Sequence, residues 1–168
     1  MTAARNWLFA VLLTTGAVTA GFPAHRVHAD VGAPEPLSAF PQSLLAIRTS
    51  AGKVVNFKIW TADKPSRQEQ GLMFVRDMDA HAGMLFLFPS DQRISMWMKN
   101  TYLSLDMVFL DASGRIQIIA PRTTPLSLDI IAPPQPARAV LELKGGTCDA
   151  FGIRAGDVAV HPGFGNAR

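Results

Sequence analysis

From Leu44 onward, apolar and polar side chains alternate in short runs. Leu45 and Ile47 alternate with Ala46 and Arg48, Ser50-Ala51-Gly52-Lys53 supplies a turn, and Val55, Phe57 and Ile59 alternate with Asn56 and Lys58. A period of two puts every second side chain on the same face, so this stretch predicts a hairpin with one buried face. Asp63 is placed to cap a helix of about two turns, with Pro65 in its first turn and Gly71 ending it before Leu72-Met73-Phe74. Short apolar runs then recur over 84–88, 94–99, 105–110, 116–120, 139–143 and 158–161, with Gly or Pro in nearly every gap. Asp111-Ala112-Ser113-Gly114 is the clearest hairpin turn, and no internal repeat is present. The pattern predicts a mainly β chain: a compact antiparallel β-barrel or sandwich with a few short helices.

The same alternation sorts the chemistry-bearing side chains by face. If 94–99 is a strand, Ile94, Met96 and Met98 face the core while Ser95, Trp97 and Lys99 face the other way. A large aromatic beside a cation suits a sugar ring or a small anion, although a rim Trp covering a minor apolar cluster has the same pattern. Along 105–110, Asp106 shares a face with Val108 and Leu110, and Leu105, Met107 and Phe109 take the other, so the carboxylate is expected at least partly buried and in need of a partner. Lys99, Asn100 and Thr101 lie just before it and offer a cation, an amide and a hydroxyl. Glu142 repeats the pattern more weakly, facing with Val140 and Lys144 while Leu141 and Leu143 lie opposite.

The beginning of the chain changes the picture of charge. Arg5 precedes an uncharged apolar stretch from Trp7 to Ala20, and Val27-His28-Ala29 offers small or modest side chains where a signal peptidase reads. Residues 1–29 therefore read as a secretory signal cleaved after Ala29, with Val18-Thr19-Ala20 as an earlier alternative. An apolar run of about 14 residues is short of the roughly 20 that span a bilayer. Residues 30–43, with Pro34, Pro36 and Pro41 and no periodicity, read as a flexible linker to a single domain over 44–168. Removing residues 1–29 takes away Arg5 and Arg26 and no acid, leaving 14 Lys and Arg against 13 Asp and Glu. The mature chain is near neutral, and no basic cluster interleaved with aromatics tracks a phosphate backbone, which argues against nucleic acid. The expected location is periplasmic or secreted, with no stable membrane span after cleavage. Cys148 is the only cysteine, so an intramolecular disulfide is excluded and stability must come from a packed core.

Catalytic and metal signatures are sparse. There is no Gly-x-Ser-x-Gly elbow, no His-Glu-x-x-His helix and no phosphate-cradling glycine loop. Cys148 and His161 could form a nucleophile and base, but their separation in sequence says nothing about geometry. Met96-x-Met98 has the look of a thioether pair for copper(I); core packing is the stronger reading, since His81, His161 and Cys148 are unclustered, and no metal or cofactor is expected. Gly152-Ile153-Arg154-Ala155-Gly156-Asp157 reads as a tight turn feeding the last strand. A Gly-Ile-x-x-Gly-Asp-x-Val run also occurs in peptide-binding PDZ domains, which the remainder of the chain does not fit.

Gln70-Gly71-Leu72-Met73, Gly83-Met84-Leu85-Phe86, Trp97-Met98-Lys99-Asn100-Thr101, Leu105-Asp106, Val140-Leu141-Glu142-Leu143, Gly146 and Gly156-Asp157 together resemble the family known as domain of unknown function 192, over about Phe57 to Pro162. This chain departs from the family pattern at Met96, where an aromatic is usual, and at Leu103-Ser104, where Ile-Pro is usual. The resemblance implies a compact β-barrel or sandwich, often secreted, with no established activity. It directs attention to Trp97, Lys99, Asn100 and Asp106, which fall in the family's most characteristic stretch.

Three functions follow as expectations. The first is a non-catalytic envelope module that binds a small polar ligand, a saccharide or an anion, with Trp97, Lys99, Asn100, Asp106 and Glu142 as candidate ligand-binding residues. The second is a hydrolase-like or other enzyme using Lys99 with Asp106 or Glu142 as acid and base. The third is a protein-interaction accessory module on an envelope protein, which requires an exposed sheet edge or apolar patch instead of a pocket.

Overall fold

A computed structural model describes residues 33–167. Strands β1 (Gln42–Arg48) and β2 (Val54–Ala62) form the expected hairpin, in a register that pairs Leu45 with Phe57 and Ile47 with Val55. All four of those side chains are buried. Helix α1 (Pro65–Gln70) follows, then β3 (Ala82–Gln92), β4 (Leu105–Leu110), β5 (Ile116–Ala120), β6 (Ala137–Lys144), helix α2 (Thr147–Phe151) and β7 (Val158–Val160). The strands make one seven-stranded sheet in the order β5-β4-β6-β3-β2-β1-β7. It curls into a half-barrel whose ends touch at one corner: Arg115 makes an isolated bridge to Val158, and the amides of Ala159 and Ile116 donate to the carbonyls of Gly114 (2.7 Å) and Asp157 (2.8 Å).

Both faces of the central strands are buried, which explains why β4 is apolar on both sides. The inner face collects Phe57, Leu85, Val108, Leu110, Leu141 and their neighbours into one cluster. The outer face carries Met84, Phe86, Leu105, Met107, Phe109 and Val140, closed over by Leu72, Met78, Ile94 and Met98 from the long connections. Burying one Phe of this kind is worth about 2–3 kcal/mol.

Four expectations need correction. The segment 94–99 is not a strand; it makes only an isolated bridge between Met96 and Ile131, because it crosses over the outer face as a cover instead of joining the sheet. Its alternation survives, with Ile94 and Met98 buried and Trp97 and Lys99 exposed. The sheet is not wholly antiparallel: β2 and β3 pair in parallel, since the connection through α1 returns the chain to the end where β2 began. Residues 33–43 are not a free linker, as Phe40 is 2% exposed and Glu35 pairs with Arg67 of α1. Asp63 does not cap α1, whose N-cap is Lys64; its carboxylate instead accepts from Arg67 one turn on (2.9 Å). The expected signal and its cleavage point fall on residues 1–29, which lie outside the described residues.

Candidate functional site

β6 lies between β3 and β4, and its register sets Glu142 between Met84 and Met107 on the outer face. A carboxyl group thus sits in the middle of an apolar sheet face. Above it the cover is incomplete. A recess of about 220 Å³ opens there, between α1 with the residues that follow it and the crossing segment 95–101. Phe86 and Glu142 contribute from the sheet, Gln68, Gln70 and Met73 from one wall, and Met96, Trp97 and Thr101 from the other. Glu142 is 4% exposed, and its Oε2 has no hydrogen-bond partner among the described residues. Burial alone pushes the carboxyl pKa up to about 8, because the charged form loses its hydration. At neutral pH the group is mostly the neutral acid, able to donate one hydrogen bond and accept others.

Gly71 keeps the space above this carboxyl open. Its φ of 51° favours glycine, and a Cβ there would come within 3.0 Å of the Phe86 ring and 3.8 Å of Glu142 Oε2. The wall formed by α1 is held from outside. Gln70 Oε1 accepts from the Glu35 amide (2.7 Å) while its Nε2 donates to the Glu35 carbonyl (2.8 Å), and the Arg67 guanidinium grips the Glu35 carboxylate. The opposite wall is fixed at both ends: the Phe74 amide donates to the Asn100 carbonyl (2.9 Å), and Met96 and Ile131 exchange two backbone bonds. Two short, otherwise weak segments are therefore clamped at a fixed spacing.

Of the residues singled out in the sequence, Trp97 and Glu142 come together in this recess. Lys99 points outward, its Nζ 5.0 Å from the centroid of the Trp97 ring in a cation–π contact. Asn100 occupies a left-handed turn position (φ 55°), with its Nδ2 3.9 Å from Met73 Sδ. Asp106 lies on the opposite face of the sheet from Glu142, because β4 alternation gives the outer face to Leu105 and Met107. The expected partnership of Asp106 with Lys99, Asn100 or Thr101 is absent among the described residues. Asp106 instead accepts from the backbone amides of Arg122 (2.8 Å), Gly146 (3.0 Å) and Cys148 (2.8 Å), so it ties three connections together. A Lys99–Asp106 acid–base pair does not exist in this arrangement.

The Cys148–His161 pair finds no support in the surroundings of either residue. Burial and the Asp106 carboxylate raise the Cys148 thiol well above its ordinary value, the reverse of an activated nucleophile. His161 Nδ1 accepts from the Gly163 amide and its Nε2 meets Ser43 Oγ at 3.0 Å, so the ring serves as a cap. No group of three His, Cys, Asp or Glu suited to a metal occurs among the described residues. Sequence reasoning did not single out Gln68, Gln70, Gly71, Phe86 and Thr101 as site residues. Four of them fall in the short motifs that carry the family resemblance, and that concentration was the available signal.

The sequence pattern of domain of unknown function 192, described as an uncharacterized ACR, matches residues 46–161. A crystal structure of a Sinorhizobium meliloti 1021 protein, described provisionally as a transcription regulator, is 38% identical. That alignment covers 74% of this chain and 96% of the other, with a TM-score of 0.73. A protein of unknown function from Novosphingobium aromaticivorans DSM 12444 is 29% identical, with 77% and 91% of the two chains covered and a TM-score of 0.72. No curated protein matches the chain.

Proposed function

The chain belongs to the domain of unknown function 192 family, and we propose that in this chain the recess over Glu142 binds a small, uncharged, hydroxyl-rich molecule of the saccharide type. The observation that carries this reading is the buried Glu142 carboxyl facing an open recess with one oxygen unpartnered. Leaving such a group unsatisfied costs about 1–3 kcal/mol, which a ligand hydroxyl would recover. Trp97 at the rim presents an aromatic face, and Gln68 and Thr101 add amide and hydroxyl groups near it. Of the two ligand classes expected from sequence, an anion is disfavoured: the lining holds two acids, Glu69 and Glu142, and no cation. The reading is non-catalytic because, among the described residues, burial is the only cause of the raised Glu142 pKa, with no contribution from a charged partner.

The leader pattern of residues 1–29 supports an exported, envelope location for this module. The description of the Sinorhizobium relative does not favour transcription regulation here, since the near-neutral mature sequence offers no basic stripe for DNA. The test is a panel of saccharides and small anions read by thermal shift. A ligand at ten times its Kd stabilises by about 1.4 kcal/mol, which moves Tm by roughly 3–5 °C for a domain of this size. Saccharide shifts that vanish in Trp97→Ala and Glu142→Leu support the reading. Shifts unchanged by both substitutions, or produced only by anions, overturn it.

A further inference from the structure

Six of the nine large hydrophobic side chains exposed among the described residues, Phe74, Trp97, Tyr102, Leu126, Leu128 and Ile130, are carried by three neighbouring segments, one of which supplies Trp97 to the recess. The other three, Leu44, Val54 and Ile118, sit on strands elsewhere. Backbone bonds join the three segments that carry them. The Phe74 and Tyr102 rings meet edge-on at 6.4 Å, and the Phe74 amide donates to the Asn100 carbonyl. The amide of Leu126 donates to the Thr101 carbonyl (3.1 Å) and that of Met98 to the Ser127 carbonyl (3.0 Å). One step in register from the Met96–Ile131 pair, Trp97 stands across from Ile130, and opposed residues in an antiparallel ribbon share a face. Leu128 and Ile130 are 66% and 64% exposed, and the exposed Asp129 between them accepts from Ser127 Oγ (2.9 Å).

Two cations are built into this surface. Lys99 Nζ lies 5.0 Å from the Trp97 ring and the Arg76 guanidinium 4.5 Å from the Tyr102 ring. Exposed leucines scattered singly need no explanation, but a contiguous apolar patch marks an interaction surface. The centre of a protein–protein interface is depleted in lysine. Aromatics with Lys and Arg at their edges are the composition of proteins that sit at the headgroup level of a bilayer.

We propose that this rim docks the domain on an anionic phospholipid surface, with Trp97, Leu128 and Ile130 at the level of the headgroups and Lys99 and Arg76 on the phosphates. The docking does not depend on what the recess holds. The matched region makes up 96% and 91% of two solved relatives, and residues from Ala33 onward form a compact unit with its own core, so the chain from Asp30 onward is the test object. It is mixed with vesicles of phosphatidylglycerol and phosphatidylethanolamine, or of phosphatidylcholine alone, and binding is read by co-sedimentation.

Preference for the anionic vesicles of tenfold or more is expected, falling about fivefold for each cation removed in Lys99→Ala and Arg76→Ala. The double substitution Leu128→Asp with Ile130→Asp lies at exposed positions, leaves Tm unchanged and removes binding. Leu44→Asp, on β1, leaves binding as it was. Glu142→Leu also leaves vesicle binding unchanged while removing saccharide binding, so failure of the lipid surface and failure of the recess show separately. Absence of vesicle binding by the unaltered protein overturns the proposal. So does binding that survives the double substitution, or a solution dimer that the double substitution dissociates.

Discussion

Replacing Glu142 by Gln tests the electrostatics of the recess through stability. In the unfolded chain this carboxyl titrates near its ordinary value of 4.5, and in the folded protein burial moves it to about 8. Between those values the folded state holds a proton that the unfolded state has released, so raising the pH favours unfolding. The contribution is intact below about 4.5, is lost progressively through the interval, and levels off above about 8. Within the interval each step of one in pH removes about 1.4 kcal/mol, so the loss from pH 5 to pH 9 is of order 4 kcal/mol. The glutamine side chain cannot ionise, although its amide meets the same partnerless surroundings at a fixed cost of about 1–3 kcal/mol. Urea denaturation at pH 5, 7 and 9 reads the outcome. The unaltered protein is expected to lose stability across that range and Glu142→Gln to lose about 4 kcal/mol less, becoming the more stable of the two at pH 9. Parallel pH dependences for the two proteins would refute the reasoning, because they would mean that Glu142 ionises as readily folded as unfolded.

Other consequences follow from the same packing. Asp106→Ala strands three backbone amides and is expected to cost about 3–5 kcal/mol in equilibrium denaturation, without altering ligand specificity at the recess. Gly71→Ala places a side chain at φ 51° against the Phe86 ring; a loss of about 1–3 kcal/mol in stability is expected, together with a smaller ligand-induced Tm shift. The Glu35 carboxylate is held down to about 2 by its hydrogen bond to Arg67, with Lys64 assisting. A depressed carboxylate keeps its contribution above the ordinary value and loses it as pH falls through the folded one, so the 33–40 segment should stay protected from proteolysis at pH 4, and Glu35→Gln should expose it at every pH. His161 is depressed by burial, so protonation of the unfolded chain should lower stability on the acid side of neutrality, and a His161→Gln variant should lack that loss.

The fold was legible where alternation is strict. β1 and β2 have a period of two, whereas β4 and β5 are short apolar runs without strict alternation, and Leu105–Leu110 and Ile116–Ala120 fall where those runs and the turn between them place them. The segment 94–99 misled because a covering segment that packs one side of itself on a sheet alternates just as a strand does, and only the absence of a continuous ladder separates the two. The docking of 33–43 was hidden because it rests on Glu35, Leu37 and Phe40, isolated residues with no period. Glu142 was legible as a residue on a different face from Leu141 and Leu143, but its position over an open recess depends on Gly71 and on two crossing segments that local pattern does not bring together. Asp106 stood out because both faces of its run are apolar, so that a carboxylate there needs a partner; its partners are backbone amides 16 to 42 residues away, which no side-chain pattern announces.

The most direct measurement is the ¹³C resonance of the Glu142 carboxyl, assigned by its disappearance in Glu142→Gln and followed while a saccharide found in the thermal-shift panel is titrated. The expected result is a neutral-acid shift for this carboxyl at pH 7 that moves with saturation of the ligand, along with the Trp97 indole resonance. A ligand that binds while leaving both resonances in place would contradict the assignment of the recess as the binding site.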